Sequence, residues 1–245
     1  MKTIKLLGFA LFTVLLCVSF SACGGDGDGD GGGGTTPPAG KRLVKVTEKG
    51  EKSTYVYEFT YDSQGRVVRI ERTKNGEKRS NDTYAYSDKK IVERHYSYSS
   101  NSTSETEYTL ENGFIVSEKH NSESNNVNYT YANGHLATRT NSSYTYKYTW
   151  SGGNLMTIER EGKIKVYEYT NYVAPQCNLV LWDIDEPLAS YFGIIPRNLP
   201  SKYVDGDDEV IRFDWTLEGG LPVKLIISET DSKDSYTDVI TFEWQ

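Results

Sequence analysis

Aromatic residues recur at every second position over most of the chain, with hydroxyl-bearing or charged residues between them. Tyr55, Tyr57, Phe59 and Tyr61 fall on one side of such a stretch, and Val56, Glu58 and Thr60 on the other. Tyr144, Tyr146, Tyr148 and Trp150 alternate in the same way with Thr145, Lys147 and Thr149. A period of two marks a β-strand with one apolar and one solvated face. The pattern returns as a phrase: EFTYDSQGRVVRI, TYAYSDKKIVERH, EYTLENGFIVSEK, NYTYANGHLATRT, KYTWSGGNLMTIE and RFDWTLEGGLPVKLI. A phrase of roughly 19 to 25 residues repeated this often makes each copy one hairpin that buries its apolar face only against its neighbours. The prediction is an all-β domain: an antiparallel meander of about 14 to 16 short strands, curled into a wide barrel or barrel-like sheet.

Asn112-Gly113, Asn133-Gly134 and Gly152-Gly153 predict tight hairpin turns, because Asn and Gly accept the positive φ such turns require. The opposite ends carry the polar stretches SSNSTSE, NSESNN and TNSS, which predict longer connections. In the strand after each turn the apolar residues change parity, as in Val67 and Ile70 or Leu155 and Ile158, and this predicts a β-bulge. Residues 173 to 203 interrupt the repeat. Asp185, Glu186 and Pro187 read as a helix start, and Leu188, Tyr191, Phe192 and Ile195 as one helical face. Gly193 to Pro196 ends it, so one short helical insert is expected near residues 186–195, with Phe192 capping an open end of the core and Asp183 and Asp185 as structural carboxylates.

The N-terminus predicts location. Lys2 and Lys5, the apolar run Leu6 to Val18 and the small residues before Cys23 resemble a lipoprotein signal peptide over residues 1–22, with lipidation at Cys23. Phe20 departs from that pattern, and without lipidation the segment reads as an ordinary secretory signal. Residues 23–40 are Gly- and Asp-rich and have nothing to bury, so they read as a flexible tether before a single domain at 41–245. A cysteine followed by an acidic Gly-rich stretch resembles the surface-export signal of Bacteroidota lipoproteins, which implies a lipid-anchored protein of the outer membrane facing the cell exterior. Asp26, Asp28 and Asp30 imitate the start of a calcium loop, but the twelfth position, where a bidentate Glu is needed, is Pro37.

The formal charge of −7 is spread along the chain, which gives no basic stripe for nucleic acid and no cationic face for anionic lipid. Contact with the membrane is expected through the lipid anchor only. Cys177 reads as a small buried hydrophobe, with no cysteine left to pair with it. A membrane-spanning barrel would need about 9 to 11 residues per strand and a lipid-facing aliphatic band. Mid-strand tyrosines and charged runs such as VERHYS and SEKHNS argue instead for a water-soluble barrel.

Little chemistry is legible. His95, His120 and His135 lie on different strands without metal-ligand spacing and read as unpaired surface or rim residues, so neither a metal nor a cofactor is expected. Asp183 and Asp185 beside Trp182 are the best carboxylate pair for a glycoside hydrolase, against which stands their reading as helix-capping residues. Tyr and Trp rings can stack on sugars or anchor a protein, which makes Tyr148, Trp150, Trp182 and Trp215 the candidate ligand contacts.

The aromatic hairpins, the phrases NLVLWDID and RNLPSKY, the resumption at IRFDWTLEGGLPVKL and the closing TFEWQ together resemble a Bacteroidota lipoprotein family of unknown function with a porin-like fold. FTYDSQGR also resembles the YD repeats of bacterial toxin shells. The family resemblance implies a barrel-like fold and brings no catalytic residues. The functional expectation is a non-catalytic binding or interaction module for a glycan or an envelope protein. A structural envelope protein without a small-molecule ligand is the alternative, and a carboxylate-dependent hydrolase a third reading.

Overall fold

The computed structural model describes residues 40–121, 126–177, 187–206, 209–230 and 235–245. Sixteen strands follow one another: β1 Leu43–Lys49, β2 Thr54–Tyr61, β3 Val67–Lys74, β4 Glu77–Tyr86, β5 Lys90–Ser97, β6 Ser102–Glu111, β7 Phe114–His120 and β8 Val127–Ala132. The second half runs β9 His135–Thr140, β10 Thr145–Ser151, β11 Asn154–Arg160, β12 Lys163–Val173, β13 Asn198–Asp205, β14 Glu209–Glu218, β15 Leu221–Thr230 and β16 Ser235–Trp244. Every strand pairs antiparallel with its sequence neighbours, and β1 pairs with β16 to close the barrel. The chain is therefore an all-β closed meander, as the alternation predicts.

Two rims follow from the connectivity. The insert rim carries the turns after the even-numbered strands, residues 174–177 and 187–197, and the start of β1 beside Gln245, with Arg42 and Gln245 exchanging backbone hydrogen bonds of 2.8 Å. The loop rim carries the connections after the odd-numbered strands. Not all of these are long, since Asn75-Gly76 and Glu161-Gly162 are two-residue turns with positive φ at both positions.

The parity change is resolved by one extra residue on each odd-numbered strand except β5. Tyr61 pairs with Val67 while Thr60 pairs with Arg69, so Val68 is extra and both Val67 and Ile70 turn inward. Met156 does the same between Leu155 and Ile158. Beside each bulge a ring from the following even-numbered strand donates to a main-chain carbonyl. Tyr61 donates to Leu43, Tyr86 to Val67, Tyr131 to Ile115, Trp150 to Leu136, Tyr169 to Leu155, Trp215 to Pro200 and Trp244 to Pro222, at 2.5 to 2.8 Å. A bulge disrupts the ladder locally, and the polar tip of an otherwise buried ring supplies a donor there. The exception supports the coupling: β4 and β5 pair without a register shift, and the corresponding position of β6 is Leu110, which has no donor.

The described part of the insert is not helical. Phe192 N donates to Leu188 O, Gly193 N to Ser190 O and Ile194 N to Ala189 O, three bonds of three different spans. Pro187 and Pro196 fence the segment, Gly193 stands at φ 59°, and the carbonyls a helix would use go to the barrel wall instead. Ile115 N donates to Tyr191 O at 2.9 Å and Leu136 N to Gly193 O at 3.3 Å. These bonds fill the two shortest ladders of the sheet, since β7 and β8 share only two residue pairs and β9 and β10 three. Gly193 is needed at this approach, because a Cβ there would lie 2.8 Å from the Gly134 carbonyl oxygen. The segment nonetheless caps the core as its apolar residues predict. Leu188, Ala189, Phe192 and Ile194 are buried, and Phe192 packs against Tyr108 and Tyr129 at ring separations of 6.0 and 5.0 Å.

Candidate functional site

Inward positions change character along the barrel axis. Next to the insert rim are the ring-to-carbonyl bonds, and in the middle the rings pack on one another, as in Tyr167, Tyr203 and Phe213. Toward the loop rim, carboxylates replace the rings and receive their hydroxyls. Tyr84 and Tyr108 donate to Glu93 at 3.0 and 2.8 Å, Tyr129 donates to Glu118, and Tyr57 reaches Glu48 at 3.4 Å. Asp82 is fully buried, with one oxygen on His95 Nδ1 at 2.5 Å and the other on the Arg72 guanidinium. His120 bridges Thr106, at 2.9 Å through Nδ1, and Glu118, at 2.5 Å through Nε2.

Two of the three histidines are thus held against buried carboxylates, which corrects their reading as unpaired rim residues. The third, His135, stacks on Trp150 at 4.3 Å. The signal was present in the sequence: Glu93-Arg94-His95 and Glu118-Lys119-His120 are the same Glu-x-His phrase on equivalent strands, with both ends facing inward. Thr106, His120 and Glu118 form a hydroxyl–imidazole–carboxylate chain, but the three are cross-strand neighbours and the Thr106 hydroxyl is enclosed in the wall. The Thr106 hydroxyl at the end of this chain is buried. Among the described residues no group of three or more His, Cys, Asp or Glu side chains could hold a metal ion.

Glu48 is 7% exposed. Burial first, and the facing Asp238 carboxylate second, push it up from 4.5 to about 7. Asp238 is itself raised by burial and by Glu229 and Glu51. The folded state therefore holds the Glu48 proton more tightly than the unfolded chain does. Its contribution to stability is full below about pH 4.5 and is lost as pH rises through about 7, at most about 3 kcal/mol. Urea unfolding of Glu48→Gln should show a correspondingly smaller loss of stability between about pH 5 and about pH 8 than the unaltered chain. An identical loss in both would show that Glu48 does not titrate in that window.

The predicted ligand residues take different places. Tyr148 is buried in the core. Trp150 and Trp215 are wall rings whose indoles are committed to the Leu136 and Pro200 carbonyls, and Trp215 also stacks on Phe242 at 6.1 Å. Phe192 sits in the cap. Cys23, Trp182, Asp183 and Asp185 lie outside the described residues.

Much of the outward face is polar, with ion pairs between Lys45 and Glu243, Lys90 and Glu107, Arg94 and Glu105, and Lys147 and Glu159, while β12 exposes Ile164 and Val166. Hydroxyl pairs join Thr130 to Thr138 and Thr140 to Thr145. Among the described residues no helix is long and apolar enough to cross a membrane.

Two pairs of part-exposed tyrosines with polar partners stand at the loop rim, while Tyr172, 43% exposed, stands at the insert-rim end of β12. Tyr96 and Tyr98 meet edge to face at 4.9 Å, Tyr96 donates to Asn101 at 2.6 Å, and Tyr98 is 37% exposed. Tyr144 and Tyr146 form a second edge-to-face pair at 5.2 Å, with the Arg160 guanidinium 4.7 and 5.3 Å from their rings. Ser97, Ser99, Ser100, Ser102, Asn141, Ser142 and Ser143 surround the two pairs. Tyr provides rigid contact area at low entropic cost, and Ser and Asn provide adaptable hydrogen bonding, which is the chemistry of a recognition surface.

No protein-family model matches the chain, and no curated protein matches it as a relative. The class is defined by the fold itself: a sixteen-stranded, antiparallel all-β meander barrel with one end capped by its own insert.

Proposed function

We propose that this protein is a lipid-anchored, surface-displayed, non-catalytic binding module of the outer membrane, and that the loop rim is its ligand face. The observation that carries this reading is the placement of the two tyrosine pairs and their Ser and Asn surroundings at the end opposite the N-terminal tether. Gly40 and Arg42 enter at the insert rim, beside Gln245. With Cys23 lipidated, the anchor joins the barrel through Arg42 at the insert rim, which leaves the loop rim at the end opposite the attachment. The polar outward face suits a barrel that stands in water on its tether. The resemblance to Bacteroidota surface lipoproteins points the same way, and the ligand classes it faces outside the cell are glycans and envelope proteins.

One observation favours the second reading, a structural envelope protein: most of the rings that the sequence offered as ligand contacts are packed on each other or bonded to the wall. The two readings separate on the rim. The full chain, screened against glycans and envelope proteins, should bind, and Tyr98→Ala combined with Tyr144→Ala should lower affinity at least about tenfold with little change in melting temperature. Unchanged affinity removes the rim from the function, and absence of any ligand favours the structural reading. Cys23→Ala should release the chain from the membrane fraction, and continued membrane association with an intact lipid label would contradict the anchor.

A further inference from the structure

We propose that the groove between the β9–β10 connection and the β11–β12 turn binds a short, uncharged oligosaccharide; this deepens the loop-rim reading and rests on it. The groove is shallow and open to solvent, with a volume of about 460 Å3, and is lined by Asn141, Ser142, Ser143, Tyr144, Thr145, Lys147, Glu159 and Glu161.

Its chemistry selects the ligand. Three hydroxyls both donate and accept, the Asn141 amide nitrogen donates, and two carboxylates accept only. Asn141 Oδ1 is already used, accepting from Ser143 N at 2.8 Å and Tyr144 N at 3.0 Å, which fixes the loop and leaves the amide nitrogen as its ligand-facing donor. The charges are balanced locally: Lys147 lies 3.2 Å from Glu159, and Arg160, packed on the Tyr144 and Tyr146 rings, 3.9 Å from Glu161. An anionic ligand would meet two carboxylates, and an apolar side chain would leave many polar atoms without partners. A polyhydroxyl ligand matches both donors and acceptors without upsetting the charge balance.

Glu161 adds an independent argument from the backbone. Among the described residues five other than glycine have positive φ; four are asparagines, Asn75, Asn101, Asn112 and Asn133, and the fifth is Glu161 at φ 52°. Asn tolerates this conformation through its short polar side chain, whereas Glu gains nothing locally from it. Strain held at Glu161, where the other described positive-φ positions carry Asn or Gly, marks a position suited to a role for its side chain, and that carboxylate lines the groove.

The test uses the full chain in detergent and a panel of two- to six-unit oligosaccharides, neutral ones built from glucose, mannose, galactose or xylose and acidic ones carrying uronate or sulfate. The neutral members should bind. Glu161→Gly, which relieves the backbone, should lower their affinity at least tenfold without lowering the melting temperature. Binding that survives Glu161→Gly but is lost in Tyr98→Ala overturns the groove and leaves the rim reading standing. Binding of acidic oligosaccharides or a protein alone overturns the ligand class, binding that survives both variants overturns groove and rim together, and no binding to the panel at millimolar concentration overturns the proposal.

Discussion

Replacing Phe192 with Asp should lower the melting temperature by roughly 10 °C or more. The ring is 1% exposed and lies against Tyr108 and Tyr129 beneath the insert. Truncating a buried Phe costs about 3 to 5 kcal/mol, and a carboxylate left there without a cation adds to that cost. In a domain of this size each kcal/mol shifts the midpoint by roughly 2 to 4 °C. Phe192→Leu, which keeps most of the volume and adds no charge, should fall by much less. A normal melting temperature for Phe192→Asp, read by circular dichroism, would mean that the insert does not cap the barrel in solution.

Asp82→Ala should be the second large loss, about 3 to 5 kcal/mol by urea unfolding. Asp82 joins β3 to β5 through the core: Arg72 reaches it from one side and His95 from the other. Removing it leaves a part-buried guanidinium without its counter-ion and an imidazole without its acceptor. Replacing Arg72 and Asp82 together by apolar residues of similar size should recover much of the loss, because an unpaired buried charge costs more than the pair contributes. A change below about 1 kcal/mol in Asp82→Ala would show that this network adds nothing to the fold.

The barrel was legible in the sequence because its two determinants are local. Alternation of Tyr144, Tyr146, Tyr148 and Trp150 with Thr145, Lys147 and Thr149 identifies faces without reference to any partner strand. The opposite parity of Leu155 and Ile158 requires one extra residue, and Met156 is that residue. Closure was not legible, because it depends on β1 meeting β16 across nearly the whole domain. The insert was misread as helix because the spacing of Leu188, Phe192 and Ile195 is also what a capping loop needs. What decides between them is the capture of the Tyr191 and Gly193 carbonyls by Ile115 and Leu136, a tertiary contact that no local pattern encodes.

The candidate site was legible as chemistry and not as place. Tyrosines as recognition residues could be read from composition, but Tyr148, Trp150 and Trp215 fill or tie the wall, and the accessible pairs are Tyr96 with Tyr98 and Tyr144 with Tyr146. The difference is depth along the strand. Rings near the insert rim meet bulge carbonyls and rings in the middle meet each other, while those at the loop rim have Ser and Asn for neighbours. Inward carboxylates were missed for a related reason: Glu93 and Glu118 look like solvated charges until a Tyr hydroxyl from the next strand is placed on each.

Amide hydrogen exchange of the full chain with and without bound ligand tests the central claim, that the loop rim is the ligand face, most directly. Protection is expected at residues 96–103, 141–147 and 159–163, with the insert rim unchanged. Protection confined to 40–45, 62–66 or 187–197 would place the ligand at the insert rim and contradict the account.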